Sequence, residues 1–558
     1  VRVLNLAVVL ESTARDLPDR DAVVLGGRRL TYARLNAAAS RVAAALAALG
    51  IGPGDRVALA CPNLPDFPIV YYGILKAGAT IVPLSVLLTR AEIVYHLENS
   101  AARALFCFEG TGASPLGESG FAAFTAVPGC ELFVLITGDP LRDLAGADAG
   151  GPGGDAAGGA AGPSGGPAAI GDPGRAGWPT LAAFVREASA DPAFETVVTR
   201  EDDIAVVLYT SGTTGRPKGA QLTHSNMVLN AQVCTRVFQA AAHDAHLVCL
   251  PLFHSFGQTV HLNAGLLSGA TLHLLPRFEP EAALATMERA AITFFAGVPT
   301  MYWALLRQVS SAEDQDMARI AGNLRISVCG GAPMPAELLR DVEHRFGVAI
   351  VEGYGLSETS PVSTFNRLDR PRRIGSVGLP VWGVEVRIVR DDGAPARVGE
   401  AGEILIRGHN VMRSYLDDPA GTAEAIDARG WFHTGDIGRL DAEGYLYLVD
   451  RIKEMIIRGG FNVYPREVEE VLLTHPGISL AAVVGVPHES HGQEVKAFVV
   501  RRPGATETEE DIVAWCRRTM AGHKYPRLVE FRDQLPMTAA GKVLKRALVT
   551  PPSAPPGG

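Results

Sequence analysis

Along its first 140 residues the chain alternates short apolar runs with stretches of helical periodicity, and that alternation points to a sheet of parallel strands. RVALA (56–60), TIVPL (80–84) and RALFCF (103–108) read as strands. Thr31 is placed to cap a helix whose apolar face carries Leu35, Val42, Leu46 and Leu49 and which closes at Gly50. A second helix over YYGILKAGA feeds TIVPL. The most apolar region, Phe67 to Leu88, is broken by Gly73, Lys76, Gly78 and Pro83. A membrane span needs about 20 apolar residues, so the expectation is a buried helix followed by a strand.

The alternation resumes at IAVVLYT (204–210) and continues through HLVCL, TLHLL, TFFAG, LRISVCG and VAIVEGY. From about residue 375 strands and turns dominate, in VEVRIV, EILIRG and GYLYLVD, which predicts a β-rich subdomain. A last unit contains AAVVGV, KAFVV and a helical EEDIVAWCRR. The predicted fold is therefore α/β, with a large N-terminal domain over 1–450 and a small, mobile α+β domain over 451–550. Two stretches lack side chains able to build a core: the Gly/Ala/Pro-rich insertion 139–177 and the tail 551–558. Both are expected to be disordered.

Charge narrows the function. With 51 basic and 60 acidic residues the net charge is -9, and no long basic run appears, so nucleic acid is not an expected partner. Seven cysteines, an odd number with no C-x-x-C spacing, argue against a disulfide framework and a zinc site and fit a reducing cytoplasm. The N-terminal stretch lacks the long apolar core and cleavage site of a signal peptide. No transmembrane segment is expected; a peripheral membrane contact and a homodimer both stay open.

The most informative segment is LYTSGTTGRPKGAQLTH (208–224). A strand runs into a loop bearing Thr210, Ser211, Gly212, Thr213, Thr214, Gly215 and Lys218. Glycines let backbone N–H groups approach phosphate oxygens, hydroxyls add donors, and the lysine adds charge. The spacing is not that of the Walker loop.

The run TSGTTGRPKGA resembles the adenylate-forming superfamily, and within it the fatty-acyl-CoA synthetases (acid–CoA ligases). Further motifs follow in family order, so the resemblance spans essentially the whole chain and makes the large domain an AMP-binding domain. It implies ATP and coenzyme A as co-substrates and Mg²⁺ as cofactor. In PLFHSFGQ, His254 would border the acyl site and gate it. In CGGAPMP, Gly331, Ala332 and Pro333 would lie along the adenine and the acyl pocket. In EGYGLSET, Tyr354 would stack on adenine beside Gly355, Ser357 would bond a phosphate oxygen, and Glu358 would help hold Mg²⁺ with Thr213. In WFHTGDIG, Asp436 would accept the ribose hydroxyls.

The segment VDRIKEMIIRGGFNVYPREVEE resembles the family's domain junction. Arg451 would contact ribose or phosphate, Lys453 would be the hinge, and Gly459, Gly460 and Phe461 would line the coenzyme A tunnel. In LPMTAAGKVLKRAL, Lys542 would be the adenylation lysine, bridging the attacking carboxylate and the phosphate. Two departures, Met537 where Lys or Arg is common and Gln493 where Glu is common, touch only the expected coenzyme A contacts.

The implied reaction converts a carboxylic acid, ATP and coenzyme A to acyl-CoA, AMP and diphosphate through an acyl-adenylate. A medium- to long-chain fatty acid is the expected substrate. An aryl acid is the alternative, as is an acyl-AMP ligase that loads a carrier protein, although no extra insertion between Glu358 and Lys453 marks one.

Overall fold

The computed structural model describes residues 2–111, 114–137, 178–187, 193–210, 216–309, 314–459, 461–488, 490, 492–538 and 541–549. The predicted insertion 139–177, the tail 551–558, the loop residues Ser211 to Gly215 and Gly460 lie outside them. By its internal contacts the chain divides into two compact units. The first comprises the chain up to Ala231 with Ala241–Asp244 and Pro251–Arg277; the second holds Gln232–Ala240, Ala245–Leu250 and everything from Phe278.

In the first unit the strand order is Lys218–Thr223, Ile204–Thr210, Thr80–Leu84, Arg56–Ala60, Ala104–Phe108, Leu132–Ile136. All neighbours are parallel except the first pair, which forms an antiparallel hairpin. The helix Tyr32–Ala48 begins as predicted, with the Thr31 hydroxyl accepting from the Arg34 N–H. A Thr89–Glu92 capping box starts the helix Arg90–Ser100, a device that contributes about 1 kcal/mol. The apolar region from Phe67 is the predicted buried helix, Asp66–Lys76, every residue of which is buried, followed by the strand Thr80–Leu84. Burial on all sides explains its apolarity. Of its Asp66 and Lys76, both buried, Lys76 ion-pairs with Glu11.

In the second unit Ala245–Val248, Phe294–Gly297, Ile326–Cys329 and Ile350–Gly355 run parallel, and Val362–Phe365 and then Leu379–Pro380 extend the sheet with antiparallel pairings. The β-rich subdomain is a four-stranded antiparallel sheet of Val384–Val389, Gly402–Gly408, Phe432–Leu440 and Leu446–Arg451. A separate sheet follows, from Ile456–Arg458 to Leu528–Phe531, with the helices Pro465–Leu473 and Glu509–Thr519. Its core gathers Ile456, Val468, Leu472, Val483, Val495, Val499 and Ile512. The architecture is thus the mixed α/β one expected, a large N-terminal domain with a β-rich part and a small α+β domain at the C-terminus. All seven cysteines are free and buried. Among the described residues no helix is long and apolar enough to cross a membrane.

Candidate active site

The strands Phe432–Leu440 and Leu446–Arg451 pair antiparallel, and their register sets Asp436 opposite Arg451. The Arg451 Nε lies 2.9 Å from Asp436 Oδ1. From the strand Ile350–Gly355 of another sheet the Tyr354 hydroxyl donates to Asp436 Oδ2 at 2.6 Å. Thr434 fixes the local backbone, accepting from the Asp436 N–H at 3.0 Å and donating to the Ile404 carbonyl at 2.7 Å. Asp436 is buried, and a buried carboxylate is stable only with such partners. Burial, and then the Asp436 charge, hold the Tyr354 hydroxyl far above its ordinary pKa, so it stays a donor. Asp436 likewise raises Arg451. A carboxylate offers about four acceptor positions, and these two bonds leave room for further donors.

Beyond Gly355 the chain makes a short 3₁₀ turn, Ser357–Thr359. The Leu356 N–H donates to the Thr359 hydroxyl at 2.9 Å, and that hydroxyl donates to the Pro361 carbonyl at 2.8 Å. Glu358 is held from two sides, its carbonyl accepting from the Met412 N–H at 2.8 Å and its Oε1 from the Tyr415 hydroxyl at 3.0 Å. Burial and the Glu358 charge push the Tyr415 pKa up, so Tyr415 also remains a donor. Among the described residues no group of three or more His, Cys, Asp or Glu could enclose a metal ion. One buried carboxylate fits the alternative, a magnesium ion that takes its other ligands from phosphate and water.

Lys542 sits on a turn in which the Thr538 N–H donates to the Lys542 carbonyl at 2.7 Å and the Lys542 N–H to the Thr538 hydroxyl at 3.1 Å. Its side chain runs past Gly331: a Cβ there would meet Lys542 Cε at 3.3 Å. Gly331 also has φ +79, a backbone conformation that favours glycine at the place where the predicted CGGAPMP segment bends. Burial, then the Arg451 charge, lower the Lys542 pKa from 10.5 to about 8, against the opposing pull of Asp436, Glu454 and Glu358. Three residues on, Lys545 bridges Glu454 at 2.9 Å and Glu469 at 2.8 Å.

Tyr354, Glu358, Asp436, Arg451, Lys542 and Gly331 are therefore brought into one neighbourhood, with Gly355 and Ser357 on the connecting segment and Ala332 and Pro333 in the loop after Ile326–Cys329. Lys453 is exposed in the turn after Arg451. Gly459 ends the strand Ile456–Arg458, and the exposed Phe461 stacks on His523 with ring centroids 5.0 Å apart. In the first unit Thr210 and Lys218 are register partners on either side of the expected phosphate loop, so Lys218 begins a strand where a loop was expected. His254 accepts from the Phe256 N–H at 3.2 Å through Nδ1, just before a π-helical turn, Gly257–Asn263. The sequence reading missed Tyr415, Glu454 and Lys545. Their only signal is proximity to a motif, and no spacing rule links Tyr415 to Glu358.

Residues 10–416 match the family model of AMP-binding enzymes, and residues 467–542 match that of their C-terminal domain. The chain belongs to the AMP-binding enzyme family. Its relatives put this AMP-binding enzyme among the AMP-forming acid–CoA ligases. It is 36% identical over 534 residues to a feruloyl-CoA synthase of an Amycolatopsis species, covering 95% of this chain and 96% of that one. A long-chain-fatty-acid–CoA ligase of Bacillus subtilis is 34% identical, with 98% and 94% covered. Among solved structures, ATP-bound MatB from Rhodopseudomonas palustris superposes with a TM-score of 0.83 at 31% identity over 98% of each chain.

Proposed function

We propose that this enzyme activates a carboxylic acid as its acyl-adenylate at the Tyr354–Glu358–Asp436–Arg451–Lys542 cluster and passes the acyl group to coenzyme A. The observation that carries the reading is Lys542, whose amine is drawn from the C-terminal turn into the field of Arg451, Asp436 and Glu358. In the first half-reaction a carboxylate oxygen forms a bond to the α-phosphorus of ATP. The bond to the bridging oxygen breaks, and diphosphate leaves with that electron pair. Two anions must approach, so a preorganised ammonium at the meeting point lowers the barrier. Asp436 accepts the ribose hydroxyls and Tyr354 lies along the adenine. The family resemblance gives Ser211 to Gly215 and Lys218 the role of binding the phosphates. Glu358 and Thr213 would hold a magnesium ion together with phosphate and water, and the ion would supply charge neutralisation at the phosphates.

In the second half-reaction the coenzyme A thiolate bonds to the acyl carbon and AMP leaves. In this reading the small domain, 451–550, turns at Lys453, removes Lys542 and brings Gly459, Gly460 and Phe461 to the thiol's path. The reading takes the acid to be a medium- to long-chain fatty acid, supported by the Bacillus subtilis relative at 34% identity. An aryl acid is the second reading, favoured by the feruloyl-CoA synthase at 36%.

Acid-dependent AMP release, measured with free coenzyme A across straight-chain and aryl acids, tests both. Release of acyl-CoA with the straight-chain acids is expected. A preference for aryl acids would move the substrate to the second reading. Diphosphate release that stops at a bound acyl-adenylate with every acid, giving neither AMP nor acyl-CoA, would favour a ligase that loads a carrier protein.

A further inference from the structure

The strands Phe294–Gly297 and Ile326–Cys329 are parallel neighbours, with Gly297 paired to Cys329 at their carboxyl ends. The segments that leave these two ends are Val298, leading straight into the helix Pro299–Val309, and Gly330–Gly331, and the Gly330 N–H donates to the Gly297 carbonyl at 3.3 Å. The Gly541–Lys542 turn makes three contacts with these two segments. The Thr300 hydroxyl donates to the Gly541 carbonyl at 3.2 Å, across 241 residues of sequence. A Cβ on Gly541 would lie 2.8 Å from Val298 Cγ2, closer than real Cβ contacts come. The Lys542 stem fills the space beside Gly331, whose own Cβ would also touch Val298 at 3.5 Å.

We propose that Val298 and Thr300 form the docking seat for the Gly541–Lys542 turn, and that Thr300, Val298 and Gly541 are positioning residues for adenylation alone. This rests on the role given to Lys542 above. Thr300 is the second residue of the helix Pro299–Val309, where a hydroxyl would ordinarily serve the helix's own backbone. Here it reaches a carbonyl of the C-terminal turn instead. Gly541 has φ +75, which suits glycine, and it offers a bare backbone face to Val298. One hydrogen bond and one close packing contact are few enough to break when the turn leaves. They are directional enough to set where the Lys542 ammonium points. When the turn leaves, neither residue has a part in thioester formation.

The test measures acid-dependent ATP–diphosphate exchange, and separately the conversion of chemically supplied acyl-AMP and coenzyme A to thioester, on each preparation. Thr300→Val keeps the side-chain shape and loses the hydroxyl; exchange should fall about fivefold, the worth of one hydrogen bond. Gly541→Ala should lower exchange by roughly thirtyfold, since it adds a clash to a left-handed backbone. Both variants should form thioester at the wild-type rate. Val298→Ala in the Gly541→Ala background makes room for the new methyl and should recover part of the lost exchange, which a general folding defect would not allow. Equal loss of both half-reactions, unchanged exchange in both variants, or failure of the rescue would overturn the proposal. Absence of exchange in the wild-type enzyme with every acid would instead remove the adenylation reading itself.

Discussion

Asp436 and Lys542 are held by different kinds of structure. Asp436 lies in the interior of an antiparallel sheet, fixed by register opposite Arg451 and bonded by Tyr354 and Arg451. Lys542 rides on a turn near the end of the chain, closed by Thr538 and seated on Val298 and Thr300. A group that must bind the nucleotide through both half-reactions gains from a rigid sheet position. A group needed in only one of them gains from a mount that can release. In the proposed mechanism the sheet carries the permanent binding and the turn the temporary charge.

The largest effect on the permanent side is expected from Asp436→Ala. It leaves the Tyr354 hydroxyl and the Arg451 guanidinium without their shared acceptor, and it removes the proposed ribose contact. Hydrogen bonds to a charged group contribute about 1.5–3 kcal/mol, so both half-reactions should slow by roughly 10- to 150-fold. Loss of one half-reaction only would mean that the sheet position is not shared between the two steps.

Lys453→Pro comes next, because it fixes φ at the proposed hinge. Acyl-AMP should form and accumulate while thioester production falls about tenfold or more. Parallel decline of both steps, followed by rapid quench, would remove the hinge from the account.

A smaller effect should appear with pH. In the free enzyme Lys542 has its pKa lowered to about 8 by burial and by Arg451. Its ammonium is intact below that value and lost above it. Between pH 7 and pH 8 the kcat/KM for ATP in adenylation should therefore fall about twofold and then continue downward. Thioester formation from supplied acyl-AMP should not share this limb. A common limb in both profiles would trace the titration to some other group.

Smallest of all should be the effect of deleting residues 145–175. That stretch is almost wholly Gly, Ala, Pro and Asp, with no apolar periodicity. Activity within a few-fold of the intact enzyme is expected, and a lower melting temperature by circular dichroism would show that the segment contributes to folding.

How much of this was legible in the sequence follows from the same contrast. The parallel strands and the buried helix after Asp66 could be read because their apolar runs are continuous, local and bounded by glycines. Asp436, Tyr354 and Lys542 could be singled out because each sits inside a recognisable run. What joins them could not. The Asp436–Arg451 pairing depends on a strand register that composition does not encode. The Tyr415 hydroxyl reaches Glu358 across 57 residues. The Thr300–Gly541 contact spans 241. Each is a tertiary contact between segments with no shared period. Lys218 shows the opposite error: glycines nearby suggested a loop, whereas cross-strand pairing with Thr210 makes it the first residue of a strand.

The central claim is that Lys542 serves adenylation and not thioester formation. The direct measurement runs both half-reactions on a single preparation of Lys542→Ala, with wild-type enzyme beside it. Losing one preorganised charge contact costs about 3–4 kcal/mol, or roughly 10²–10³ in rate. Acid-dependent diphosphate exchange should drop by that factor, while supplied acyl-AMP and coenzyme A still give thioester at close to the wild-type rate. If thioester formation fell as far as exchange did, Lys542 would belong to both steps, and the division between sheet-held and turn-held groups would be wrong.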